Sequence, residues 1–286
     1  MSQDGGDTQF GPEGEFAPRF AIGRGQFGVV YLLQHPDGRK AVDKRVELSG
    51  MTDKQKEETN AEIALLKKLA HDAVCAYHHH FVTADPKKEN ASTLHIIMEY
   101  CDSGSMADAV AEQQQAKQRF DHFKIRSWIC QLVKALAHVH ALRVIHRDIK
   151  TANIFLAERG KSVPDVKIGD FGISRLMSSQ TELASTAVGT PYYLSPELIS
   201  GTGYDGRADV WAVGCILFEL VALKRPFAGE NMGQLAMSIL RKSPSKPPKD
   251  SPMDMLVRGS AAARRWYGGA RFAPWVATVT MDDAVA

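Results

Sequence analysis

The sequence predicts an α+β protein of two lobes, a small β-rich N-terminal lobe followed by a larger helical one. Two observations predict it. Short runs rich in β-branched and aromatic residues dominate up to Tyr100, whereas beyond Tyr100 apolar residues recur at helical spacing. A chain of 286 residues with 44% hydrophobic content can also bury one large core or two smaller ones. The two lobes join near residues 100–104.

The elements follow in order. Residues 1–16 begin acidic and glycine-rich, without the basic start and apolar run of a signal peptide, and are expected to be a short disordered lead. The N-lobe spans 17–100, with strands expected over 20–22, 29–33, 40–46, 81–84 and 94–100. A helix over 52–69 interrupts them, with Ile63, Leu66 and Leu69 on one face and Lys and Glu on the other. The C-lobe spans 101–255. Its helix over 126–142 carries Trp128, Ile129, Leu132, Val133, Leu136 and Val139 at helical spacing, and a second apolar helix covers 209–223. Asp209 and Glu219 break that apolar run, which marks a buried helix rather than a membrane span. Trp211 is expected in its core, and residues 256–286 form a divergent tail. There is no internal repeat.

Charge and cysteine usage narrow the function classes. The 35 basic and 33 acidic residues are interspersed, for a net charge of +2, which argues against nucleic acid as a partner. The chain is expected to be soluble, without a membrane partner. Cys75, Cys101, Cys130 and Cys215 show no metal-binding spacing, so reduced thiols in an intracellular protein, and no disulfide, are expected. Adjacent imidazoles in His78-His79-His80 point to opposite faces of a strand and do not complete a metal site. Residues 241–249, rich in Pro and Ser, read as a solvated loop rather than a docking patch.

The run Ile22-Gly23-Arg24-Gly25-Gln26-Phe27-Gly28-Val29-Val30 fits GxGxxGxV, where missing side chains let the backbone close over phosphates. Alone it fits a dinucleotide-binding unit or a plain hairpin equally well. Its place between two strands, with Lys40-Ala41-Val42-Asp43-Lys44 next, favours the phosphate-covering hairpin and makes Ile22, Gly23, Gly25, Gly28 and Val30 candidate nucleotide contacts. Strand alternation puts Val42 and Lys44 on one face, so Lys44 reaches the α- and β-phosphates, while Asp43 points away and is expected to face solvent. Glu62, one turn before Leu66, is the expected helix partner of Lys44; Glu57 and Glu58 read as solvated charge.

The stretch His146-Arg147-Asp148-Ile149-Lys150-Thr151-Ala152-Asn153, with Asp170-Phe171-Gly172 after it, supplies a base, two metal ligands and a phosphate contact. In phosphoryl transfer an Asp accepts the substrate hydroxyl proton, while an Asn and a second Asp hold the magnesium ions that bridge the ATP phosphates. Asp148, Asn153 and Asp170 stand in that order. Singly such residues are turn formers or helix caps. Their ordered co-occurrence with the glycine run, Lys44, Glu62 and Ser195-Pro196-Glu197 argues for this chemistry. An arginine beside the catalytic Asp is placed to meet a phosphate on the activation segment, which makes Arg147 a regulatory residue with Ser185 and Thr186 as its candidate partners.

From about residue 17 to about 245 the chain resembles the eukaryotic protein kinases, and more narrowly the NIMA-related (Nek) serine/threonine kinases. Three stretches carry this resemblance: LHIIMEYC at 94–101, HRDIKTANIFL at 146–156 and GTPYYLSPE at 189–197. It implies that Met98 is the gatekeeper, that Glu99 and Cys101 give backbone hydrogen bonds to adenine, and that Val30, Val42 and Phe155 sandwich the ring. It further implies that Lys150 contacts the transferred phosphate and Thr190 braces it, so the substrate is a protein Ser or Thr hydroxyl, with ATP and Mg2+ required. Thr186 aligns with the family's activation-loop threonine, phosphorylated by an upstream kinase or by autophosphorylation; Ser178, Ser179, Ser185 and Thr186 also read as ordinary polar loop residues. Family analogy places the protein in the cytoplasm, at the cytoskeleton, centrosome or basal body.

The C-terminus departs from that pattern. Kinases end on helices with a Pro-x-x-Arg-Pro-like segment whose Arg pairs with the Glu equivalent to Glu197. The stretch from Leu256 onward resembles no such ending, as a frameshifted or mis-spliced reading would give, and offers only Arg264 or Arg265 as substitutes. An active serine/threonine kinase is therefore expected, with a catalytically impaired kinase-fold interaction protein as the alternative. Lys44, Asp148 and Asp170 are all present, which favours activity.

Overall fold

The computed structural model describes residues 16–25, 28–49, 51–84, 92–160, 162–171, 192–201, 205–242 and 244–249. The expected lead, the tail and the activation-segment residues Ser178, Ser179, Ser185, Thr186 and Thr190 lie outside them. The chain divides into two compact units, a smaller one that runs to Cys101 and a larger one from Asp102.

The smaller unit is an antiparallel sheet. Strands β1 (Ala17–Gly25), β2 (Gly28–Gln34), β3 (Lys40–Glu47), β4 (Tyr77–Ala84) and β5 (Ser92–Glu99) pair in the order β1-β2-β3-β5-β4, and helix α1 (Asp53–Leu66) lies between β3 and β4 in sequence. Each strand overlaps its expected run, and β4 begins four residues before residue 81. Thr52 caps α1 through a capping box with Gln55, and the expected stripe of Ile63, Leu66 and Leu69 is buried.

One expectation is overturned here. Asp43 does not face solvent: it is 2% exposed. Alternation does turn it away from Lys44, but that face is covered by an apolar cluster of Phe16, Leu33, Ala41 and Ile97, with Phe81 packed against it. Asp43 lies opposite Ile97 in the register and next to Arg45, which lies opposite His95. Its carboxylate accepts from Arg45 Nε at 2.7 Å and from His95 Nδ1 at 3.0 Å, so the buried charge is paired. His95 Nε2 meets the Thr83 hydroxyl at 2.9 Å, and the His95 ring stacks on Phe81 with centroids 4.5 Å apart.

The larger unit is helical, with α2 (Met106–Ala116), α3 (His122–Ala141), α4 (Pro196–Ile199), α5 (Arg207–Ala222) and α6 (Met232–Arg241), plus a two-stranded ribbon of β6 (Ile154–Ala157) and β7 (Asp165–Ile168). The expectation of an α+β fold is borne out. Helix α5 is buried at every position from Ala208 to Val221 except the half-buried Val210, as an apolar helix at the centre of a core must be. Helix α3 packs against it and against β7. Trp128, Leu132 and Val139 of α3 are fully buried, and Leu132 and Val139 each contribute about 1.5–3 kcal/mol by area. Trp128 Nε1 also donates to the Pro164 carbonyl at 3.0 Å, and Gln131 accepts from the Val166 N–H at 2.9 Å, which ties α3 to β7. Trp211 is buried as expected and stacks on Phe227. Among the described residues no helix is long and apolar enough to cross a membrane.

Candidate active site

The loop over residues 146–153 is organised by one buried carboxylate. Asp209, in the first turn of α5, is 1% exposed. Its Oδ2 accepts from the His146 N–H at 2.9 Å and lies 2.8 Å from His140 Nε2, while Oδ1 accepts from the Arg147 N–H at 3.0 Å. Two consecutive amides are thus held by a side chain more than sixty residues away. The buried His146 donates from Nε2 to the Gly169 carbonyl at 3.0 Å and accepts the Asp148 N–H on Nδ1 at 3.2 Å. That pattern needs the neutral ring, and burial holds His146 below the usual histidine range.

This scaffold presents Asp148 half-buried. Its Oδ2 accepts from Lys150 Nζ at 2.9 Å and from Asn153 Nδ2 at 2.9 Å, and Asn153 Nδ2 also donates to the Asp148 carbonyl at 2.9 Å. With both amide protons directed to Asp148, Asn153 has Oδ1 as the atom to offer a cation. The Gly169 N–H donates to the Asn153 carbonyl at 3.0 Å, which places Asp170 in the same loop cluster. Asn153 Oδ1 and the Asp170 carboxylate are hard oxygen donors of the kind magnesium takes. Arg147 and Asp170 adopt left-handed backbone with φ of 70° and 55°, conformations that cost L-residues energy and persist where surrounding structure imposes them. Asp148, Lys150, Asn153 and Asp170 are therefore brought together; Phe155 stands half-buried on β6 nearby in sequence.

A second link joins the loop to α5. The buried Thr151 hydroxyl lies 2.9 Å from the Tyr193 hydroxyl, which donates a short hydrogen bond to Glu219. Burial, reinforced by Glu219, pushes the Tyr193 phenol above its ordinary range, and burial pushes the Glu219 carboxyl up. Arg225 lies over the Tyr192 ring, 3.6 Å from its centroid. Sequence reasoning missed both Asp209 and Glu219 as site residues. Their signal was present, since each is an acid within an apolar helix, and a buried acid needs a partner.

In the smaller unit the register sets a row of Val30, Lys44 and Ile96, and beside it a row of Leu32, Val42 and Met98, all on one face of the sheet. Lys44 is half-buried and Met98 is 8% exposed. Glu99 commits its N–H to the Ala76 carbonyl at 2.8 Å. Ile22 is exposed at 43%, and Gly25 pairs with Gly28 at the close of the β1–β2 hairpin. Gly28 must be glycine, because a Cβ there would stand 1.8 Å from the Arg45 carbonyl oxygen. Among the described residues a Cβ at Gly23 would meet Val30, at 3.8 Å, which is ordinary contact. The side chain of Glu62 lies outside the described residues.

A protein kinase domain model matches residues 17–257. The chain belongs to the protein kinase family. This kinase domain is 41% identical over 228 residues to mouse serine/threonine-protein kinase Nek1, covering 79% of this chain and 18% of that protein. It is 39% identical over 220 residues to human serine/threonine-protein kinase Nek5, covering 77% of this chain and 29% of that protein. The probable serine/threonine-protein kinase nek3 of Dictyostelium discoideum is 38% identical over 222 residues, 77% of this chain and 19% of that protein. The Nek resemblance is thereby borne out, while the matched stretch spans less than a third of each of these relatives.

Proposed function

We propose that this kinase domain is an active, Nek-like serine/threonine protein kinase that transfers the γ-phosphoryl group of ATP to protein Ser and Thr hydroxyls. The observation that supports it most is the Asp148 carboxylate held by Lys150 and Asn153, an oriented base beside a cation that can meet the transferred phosphate. Asp148 orients the substrate hydroxyl for in-line attack and accepts its proton, and Lys150 stabilises the phosphoryl oxygens as charge shifts. Asn153 and Asp170 would hold magnesium, which when bound neutralises phosphate charge. Lys44 takes the α- and β-phosphates. Glu99 has its N–H engaged, so its carbonyl would receive the adenine amino group, while Cys101 offers its N–H, and Val30, Val42, Met98 and Phe155 form the apolar surround.

The test is transfer of radiolabel from ATP to a generic Ser/Thr protein substrate by the purified chain beside Lys44→Met and Asp148→Asn. Each variant is expected to lose about 10²-fold or more of the rate. Equal signal in all three would sink the enzyme reading in favour of a silent interaction protein. Regulation is proposed at Arg147, exposed beside the base, as the receiver of a phosphate on Thr186 or Ser185. Thr186→Ala is expected to lower the rate about tenfold, the worth of one charge-assisted contact, and an unchanged rate would count against it. By family analogy the chain is placed in the cytoplasm near the cytoskeleton, centrosome or basal body, to be read out by imaging the tagged chain.

A further inference from the structure

Cys75 and Cys101, twenty-six residues apart in sequence, bring their sulfurs within 3.7 Å of each other in the smaller unit. Neither is joined in a disulfide. The sheet puts them there. Tyr77 lies opposite Met98 where β4 pairs with β5, and beyond that pair the Glu99 N–H donates to the Ala76 carbonyl while the Ala76 N–H donates to the Glu99 carboxylate at 3.1 Å. The chain entering β4 and the chain leaving β5 are thus pinned side by side up to the two cysteines. Cys75 is buried and Cys101 partly exposed, so Cys101 is the one a small oxidant would meet first, with Cys75 against it.

We propose that Cys75 and Cys101 form an oxidative modification site, a dithiol that hydrogen peroxide closes to a disulfide beside the nucleotide-binding segment. The Cys101 thiolate attacks one peroxide oxygen and the O–O bond breaks, giving a sulfenic acid and a hydroxide that takes a proton to become water. The Cys75 sulfur then displaces the hydroxyl from Cys101, the S–S bond forms, and the thiol proton leaves with the hydroxyl as a second water. Two thiols and one peroxide give one disulfide and two waters; the sulfurs lose two electrons and the peroxide gains them. Closure to the bonded separation of about 2.05 Å needs only a short movement from van der Waals contact. Cys215 competes poorly, since burial and Glu219 push its thiol well above the usual range.

The effect on nucleotide rests on the proposed kinase reading, in which the Cys101 backbone contacts adenine. Drawing Cys101 toward β4 withdraws that hydrogen bond, and the KM for ATP is expected to rise about tenfold. In the test, the full reduced chain is treated with hydrogen peroxide, remaining thiols are alkylated, and the protein is digested without reductant. The expected product is a Cys75 peptide joined to a Cys101 peptide, with the alkyl label on Cys130 and Cys215 and the link reversed by dithiothreitol. Cys75→Ser is expected to give no link, to accumulate a sulfenic acid on Cys101 trapped by dimedone, and to keep its KM under peroxide. A wild-type Cys101 that goes on to sulfinic acid while Cys75 takes the alkyl label would overturn the site, as would a link from Cys101 to Cys130, Cys215 or a second chain. An unchanged KM with the link in place would overturn the coupling to nucleotide. Absence of transfer by the reduced wild type would overturn the kinase reading instead, and the peptide map would still decide the thiol pair.

Discussion

Asp209→Ala is expected to destabilise the larger unit by about 3–5 kcal/mol and to lower phosphoryl transfer by about 10²-fold or more. The stability loss follows from what the carboxylate holds. It is 1% exposed, accepts two backbone N–H groups from the loop over residues 146–153 and pairs with His140. Alanine would leave both amides without that acceptor, at about 1–3 kcal/mol for each buried group, and would take the anion from His140. The rate loss follows because those amides belong to His146 and Arg147, the two residues before Asp148. Asp209→Asn keeps one acceptor oxygen and loses the other, so it should fall between wild type and alanine on both measures. Urea midpoints at constant m report the stability, and initial rates of label transfer report the loop. A change in stability of less than about 1 kcal/mol for alanine would mean that solvent already satisfies these amides.

The candidate roles that could be read from the sequence are those that rest on local spacing. The glycine run, Lys44 and the loop from His146 to Asn153 carry their chemistry in fixed short spacings, and the stripe of Ile63, Leu66 and Leu69 needs only helical periodicity to predict its burial. Helix α2 was legible in principle, because Ser105 and Asp108 form a capping box, yet its weak apolar stripe gave no periodicity to notice. What was not legible is what contacts across the fold decide. Asp209 and Glu219 served only to reject a membrane span, because their partners lie 63 and 26 residues away. The meeting of Cys75 and Cys101 depends on the β4–β5 register in the same way. Asp43 shows the limit most directly: alternation says which face a side chain takes, and nothing in a strand's own sequence says what covers that face.

Asp43→Ala is accordingly expected to cost about 2–4 kcal/mol, much more than an exposed aspartate would, since surface substitutions usually stay within about 0.5 kcal/mol. The lower end reflects Arg45, whose side chain is 31% exposed and can turn to water when its partner goes. The larger part comes from His95, whose side chain is 10% exposed and whose Nδ1 would lose its acceptor while Nε2 stays with Thr83. A double-mutant cycle of Asp43→Ala with His95→Ala, read by urea midpoints, is expected to give a coupling of about 1–2 kcal/mol; additive costs would mean that the 3.0 Å contact carries nothing. Replacing the pair by Asp43→Leu with His95→Phe should recover much of the loss, because the ring stack on Phe81 survives and no buried charge is left to solvate. The KM for ATP separates stability from positioning in that variant. Lys44 follows Asp43 on β3, so a recovered fold with a raised KM would assign the polar pair to fixing where Lys44 sits, and a recovered fold with a normal KM would assign it to stability alone.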